Sequence, residues 1–149
     1  MATTLLLIRH AVTSWHGQAR VLGQHDVTLD DEGRGQARSL ANALAAVPIQ
    51  RLVSSPLCRA AQTAAAIAER VEVPVERDPR LTDFRVGEWE GLTYEALRLR
   101  ADYRRFLDDP LGTLIPGGET VENACARARE AVEGALATNP RVLAVVTNS

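Results

Sequence analysis

The run Leu5-Leu6-Leu7-Ile8, closing on Arg9 and His10, constrains this chain more than any other stretch. Four apolar residues without polar alternation describe a strand buried on both faces, as inside a parallel sheet. The run is far too short for a membrane span or the core of a signal sequence. Residues 11–28 follow without periodicity, rich in Gly, Gln, His, Asp and Thr. They read as a long loop near the strand's carboxyl end, where α/β sheets hold their ligands.

The remainder alternates helix and strand. Asp30 caps a helix running to about Ala46, with Ala37, Leu40, Ala41 and Leu44 as its apolar stripe and Pro48 as its stop. Arg51 to Ser54 reads as a strand, and Ser55-Pro56 as the cap and first residue of a helix reaching about Arg70. Val71 to Val75 is a further strand, placed at an edge by Pro74. Residues 81–118 mix acids, aromatics, Gly and Pro around a helix expected from Thr93 to Phe106, and read as a lid-like insertion over the site. Gly117-Gly118-Glu119-Thr120 leads into a helix carrying Val121, Ala124, Cys125, Ala128, Val132 and Leu136. Arg141 to Val146 is the last strand. This order predicts one domain over residues 1–149, a three-layer α/β/α sandwich with a mostly parallel sheet.

Composition narrows the partners. A net charge of -2 offers no broad attraction to nucleic acid or to an anionic membrane, so any anion site is local. The 17 basic residues are all Arg, the planar, bidentate kind suited to carboxylate and phosphate. Cys58 and Cys125 lack metal-ligand spacing and read as buried free thiols in a reducing cytoplasm. No metal and no cofactor are expected, and the location expected is cytoplasmic.

Three segments then carry a specific likeness: LIRHAVTSW, SSPLCRAAQTA and LTDFRVGEWEG, in this order across nearly the whole chain. Together they resemble the histidine phosphatase superfamily, in its phosphoglycerate-mutase-like branch. The resemblance implies a phosphatase acting on a small phosphorylated metabolite through a phosphohistidine. It makes His10 the nucleophile, since imidazole attacks near neutral pH without a strong base. Arg9 and Arg59 match the family's phosphate-clamping arginines. Asp83 stands where the family carries the glutamate that protonates the leaving oxygen, a role that requires a raised pKa. His16, Gly23 and Asn148 complete the implied substrate-binding set, while Gly87, Trp89 and Gly91 repeat a turn and packing pattern.

The departures from the pattern are as informative. RHGETxWN in the family reads RHAVTSWH here, so Ala11 replaces a glycine, Val12 an acid or amide and His16 an asparagine that contacts phosphate. Ala11 costs backbone freedom if its position needs positive φ. Asn148 stands where the family's second catalytic histidine belongs, keeping a donor but not a charge. The sequence ends at Ser149, before the helix and strand that the resemblance implies next, and three expectations follow: the fold closes differently, a partner such as a second copy covers the exposed sheet, or the sequence is a fragment of a longer chain. The alternatives to a phosphatase are a weakly active or inactive phospholigand-binding relative and a mutase.

Overall fold

The computed structural model describes residues 2–148. Its strands β1 (Thr4–Arg9), β2 (Arg51–Ser54), β3 (Val75–Arg77) and β4 (Val142–Thr147) form one sheet in the order β1-β4-β2-β3, every pair parallel. The last strand in sequence therefore enters the middle of the sheet. Helices α1 (Ser14–Gly17), α2 (Asp31–Ala43), α3 (Cys58–Val71), α4 (Tyr94–Arg98), α5 (Ala101–Asp108) and α6 (Val121–Leu136) complete the chain.

Side chains alternate across a strand, and the sheet's two faces divide accordingly. On one face Leu52, Ala144 and Val146 pack with Ala41 of α2 and Ala60, Ala64 and Ile67 of α3. On the other, Val53, Leu143 and Val145 pack with Ala131 and Ala135 of α6. The result is the α/β/α sandwich expected. Residues 81–118 gather an apolar cluster of their own around Val86, Trp89, Leu97 and Ile115, joined by Val21 from the loop after β1.

The doubly buried strand is β4, and β1 corrects the expectation made for it. Leu6 and Ile8 pack toward α2 and α3, but β1 is an edge strand and α6 does not extend over it. Leu7 is 67% exposed and Leu5 36%. An unbroken apolar run thus records only that both faces can be apolar, and which face is covered depends on the neighbours.

Other boundaries shift for local reasons. One turn of helix, α1, interrupts the loop after β1. Helix α2 ends at Ala43, three residues short of expectation, with Asp30 Oδ1 accepting the Gly33 N–H at its start. Ser55 does not cap α3, which begins at Cys58. Ser55 Oγ accepts from Leu57 N, and the first free amide of the helix, Cys58 N–H, donates instead to Asp26 Oδ1 at 2.6 Å. The helix continues through Val71 and stops at Glu72, whose φ of 58° is left-handed, so β3 begins only after Pro74. The helix expected from Thr93 to Phe106 breaks at Leu99-Arg100, which lets the Arg100 guanidinium turn back onto Asp102 at 2.7 Å. Trp89 Nε1 donates to the same carboxylate. The thiols are not buried as expected: Cys125 is exposed on α6, and Cys58, at intermediate exposure, donates its S–H to Asp26 Oδ2.

Two glycines of α2 test how closely this helix approaches the loop after His10. A Cβ on Gly33 would lie 2.0 Å from the Val12 carbonyl oxygen, whereas a Cβ on Gly35 meets nothing within 4 Å. Gly33→Ala is expected to destabilise by about 1–3 kcal/mol through overpacking. Gly35→Ala should stabilise by up to about 1 kcal/mol, the helix-propensity difference. Urea unfolding of the two variants checks this; equal effects would deny the close approach.

Candidate active site

The carboxyl ends of β1, β4 and β2 meet the loop after β1 and the start of α3. There the main chain of His10 donates to Thr147 O at 3.0 Å, extending the β1–β4 pairing by one bond. The next residue, Ala11, donates to Thr63 Oγ1 of α3 at 3.0 Å. His10 is thereby pinned between two elements on both sides of its Cα. Ala11 is not among the described residues with positive φ, so replacing the family's glycine costs no backbone strain.

His10 is 5% exposed. Its Nδ1 lies 2.7 Å from Ala11 O, which can only accept, so Nδ1 carries the hydrogen. The lone pair therefore resides on Nε2. No buried side-chain nitrogen or oxygen among the described residues lacks a partner, so Nε2, which has none, must open onto the cleft. Burial pushes the His10 pKa down to about 4, against a smaller upward pull from the Ala11 carbonyl, with the positive charge of Arg59 adding to the depression. At neutral pH this is an uncharged imidazole with one free lone pair.

Arg9, His10, His16, Gly23 and Asp83 line a common cavity of about 240 Å³ with Arg20, Val21, Phe84, Val86 and Tyr94. The rings of His10 and His16 stand edge to face, centroids 5.5 Å apart. His16 Nδ1 accepts the Thr13 N–H at 3.1 Å, which puts the ring hydrogen on Nε2. Arg9 Nη2 lies 3.2 Å from that Nε2. Burial, then the charge on Arg9, lowers the His16 pKa, so the neutral form is favoured. Two donors thus lie side by side, and an anionic oxygen that bridges them from the cavity satisfies both.

Arg59 is fully buried in the first turn of α3. Its Nε donates to Asn148 Oδ1 at 3.0 Å, Nη1 to His25 O at 2.8 Å, and Nη2 to Gly23 O at 2.7 Å and Asp83 Oδ2 at 2.9 Å. Four of its five N–H groups are spent, leaving one on Nη1. A cation at a helix N-terminus is unfavourable alone, and the Asp83 carboxylate compensates it. Gly23 earns its place by conformation: its φ is +51°, and a Cβ would lie 2.6 Å from Glu90 Oε1. Asp83 also accepts from Phe84 N at 2.8 Å. Burial raises its pKa, opposed by that amide and by Arg59.

Asn148 is placed behind Arg59 rather than in the cavity. Its amide donates to Leu81 O at 3.3 Å, and the side chain lines a separate apolar groove between β1 and α6. Sequence reading missed three residues that hold the site together: Asp26, which caps α3; Gln24, whose amide donates to Asp83 O at 2.9 Å; and Arg127 of α6, bonded to the same carbonyl. Only Asp26, a carboxylate in an otherwise polar loop, left any sign. No group of residues among those described is arranged to hold a metal ion, and no helix is long and apolar enough to cross a membrane.

Residues 5–149 match the family model of the histidine phosphatase superfamily, branch 1. The chain belongs to that superfamily. It is 34% identical over 140 residues to a glucosyl-3-phosphoglycerate phosphatase of Mycobacterium tuberculosis, covering 93% of this chain and 63% of that protein. It is 31% identical over 131 residues to phosphoserine phosphatase 1 of Hydrogenobacter thermophilus, covering 87% of this chain and 62% of that one. The chain therefore spans less than two thirds of the length of these superfamily members. The solved structure of a mycobacterial glucosyl-3-phosphoglycerate phosphatase superposes with a TM-score of 0.90 at 32% identity, over 99% of this chain and 76% of that one.

The adjacent donors of Arg9 and His16 predict a site for a tetrahedral oxyanion. Inorganic phosphate should bind, and Arg9→Gln should weaken it about 10- to 100-fold, the loss of a charge-assisted hydrogen bond. Titration calorimetry at neutral pH checks this; unchanged affinity would remove Arg9 from the anion site.

Proposed function

We propose that this chain hydrolyses a small phosphomonoester through a phosphohistidine on Nε2 of His10. The observation that carries the reading is the neutral His10 ring, its Nδ1 hydrogen committed to Ala11 O and its other nitrogen open to a cleft with Arg9 and His16 on its wall. The lone pair of Nε2 attacks phosphorus while the bond to the leaving oxygen breaks. Asp83, protonated, gives its proton to that oxygen. Water then attacks phosphorus, the N–P bond breaks, and Asp83 takes a proton from the water, releasing phosphate.

The residues divide this work. Arg9 and His16 hold phosphoryl oxygens, while Arg59, fully buried and outside the lining of the cavity, acts through its charge, which keeps His10 unprotonated, and through its bond to Asp83. The chemistry needs no resident metal, because guanidinium forks supply the positive charge. A cavity of about 240 Å³ takes a phosphate and a few further carbons against Val21, Phe84 and Tyr94, which suits a small phosphorylated metabolite. The two curated relatives are named for a glucosyl-3-phosphoglycerate and for phosphoserine, both phosphomonoesters, and the second is of this size.

One observation favours a second reading, a phospholigand binder of low turnover. Asn148, standing where the family's second histidine belongs, turns its amide to Leu81 O and adds no charge to the cavity. One missing donor of this kind costs about 10²- to 10³-fold in rate. Asn148→His should raise turnover under the phosphatase reading with impaired charge stabilisation. Turnover by neither protein, with phosphate still bound, would select the binder.

Rapid acid-free quenching with a ³²P-labelled phosphomonoester should trap an alkali-stable, acid-labile adduct that is absent from His10→Ala; turnover that survives in His10→Ala would contradict the mechanism. The pH profile follows from the two perturbed groups. His10 acts when deprotonated, so kcat/KM should rise as pH passes about 4. Asp83 acts when protonated, so kcat/KM should fall as pH passes its raised pKa. Asp83→Asn should lower the rate and abolish the alkaline limb, and a limb that persists would assign it to another group.

A further inference from the structure

Asp83 is one methylene shorter than the glutamate usual at its position, so its backbone must be placed accurately for the carboxyl to reach a leaving oxygen. The segment that carries it, residues 80–85, belongs to no strand and is held from α6. Arg127 spends three of its five N–H groups on that segment and the other two on Glu119. Nη1 donates to Arg80 O at 2.7 Å and to Thr82 O, Nη2 to Asp83 O at 2.9 Å, and Nε and Nη2 to the two carboxylate oxygens of Glu119. Glu119 closes the arrangement from the other end: its Oε1 accepts the Arg85 N–H at 2.9 Å, and its own N–H donates to Arg85 O at 2.9 Å.

Four backbone groups around the Asp83 side chain are thus fixed by the side chains of one ion pair, and a fifth, Arg85 O, by the main chain of Glu119. The Glu119 side chain is 10% exposed and the Arg127 side chain 22%, so the pair is shielded from water. Arg127 makes no contact with the cavity that holds His10, and its nearest link to the chemistry is the main chain of Asp83. We propose that Arg127, together with Glu119, is the positioning residue for Asp83, holding the main chain so that the carboxyl meets the leaving oxygen. Only a guanidinium can do this, because a planar fork of five donors addresses three carbonyls and a carboxylate at once, whereas an ammonium has three donors and no fork.

This inference rests on the phosphatase reading, and the substrate's leaving group separates the two. An alkyl phosphate needs its leaving oxygen protonated; p-nitrophenyl phosphate leaves as a stable anion and does not. A displacement of about 1 Å at a reacting group costs on the order of 10²-fold. Arg127→Gln should therefore lower kcat/KM on an alkyl phosphomonoester on the order of 10²-fold and leave kcat/KM for p-nitrophenyl phosphate within a few-fold. The comparison uses kcat/KM because it reports the transfer to His10 and not the hydrolysis step, which also uses Asp83 and is common to both substrates. Asp83→Asn should show at least the loss on the alkyl phosphomonoester, and Arg127→Lys should not rescue that of Arg127→Gln. Should Arg127→Gln fail to fold by circular dichroism, Glu119→Gln, which leaves Arg127 its three carbonyl partners, is measured on the same two substrates. Equal losses on both substrates, or none on either, would overturn the inference while leaving the phosphatase reading standing. An unaltered chain that cleaves neither substrate would overturn both.

Discussion

The hydrogen bond from His10 Nδ1 to Ala11 O, 2.7 Å long, decides what the cleft can do. It commits the single ring hydrogen of a neutral imidazole to the main chain and leaves the lone pair on the nitrogen open to the cleft that Arg9 and His16 also line. The bond itself depends on the sheet. His10 N–H reaches Thr147 O of β4 and Ala11 N–H reaches Thr63 of α3, so the carbonyl that accepts from the ring is held by both elements. Burial then keeps the ring neutral, since charging it would place a cation near Arg59 and Arg9 with little water to screen them.

Arg59 is the second fixed point, and it ties together segments distant in sequence. Its guanidinium joins the loop after β1 through Gly23 and His25, the segment before α4 through Asp83, and the end of β4 through Asn148. Removing one partner from a buried charge typically costs about 3–5 kcal/mol, because the other is left uncompensated. Arg59 and Asp83 therefore serve stability as well as the proposed chemistry. The same tie explains how a carboxylate can keep a raised pKa beside an arginine: Asp83 is buried strongly enough that the gain from Arg59 and the Phe84 amide does not offset the loss of water.

What was legible in the sequence was whatever local pattern determines. The strand at Arg51–Ser54, the cap at Asp30, the helix from Val121 to Leu136 and the edge position of the strand after Pro74 all follow from residue order alone. His10 at a strand's carboxyl end was legible too, and the family motifs brought Arg9, His16, Gly23 and Asp83 to one cavity. What was not legible depends on long-range partners. Nothing near Ser55 shows that α3 is capped by Asp26, 32 residues earlier. The exposure of Leu7 is set by where α6 lies, not by the run that contains it. Glu119 stands just before α6 and Arg127 two turns into it, an ordinary helical stretch by sequence, and only the folded chain shows that they pair and that Arg127 reaches the carbonyls around Asp83.

The central claim is that His10 is a neutral imidazole with its hydrogen on Nδ1. Two-bond ¹⁵N–¹H correlation spectra of the ¹⁵N-histidine-labelled protein, recorded across pH, test it most directly. They should show His10 as the Nδ1–H tautomer at neutral pH, gaining its second proton only near pH 4. An Nε2–H tautomer, or titration near the ordinary value of about 6.5, would contradict the account.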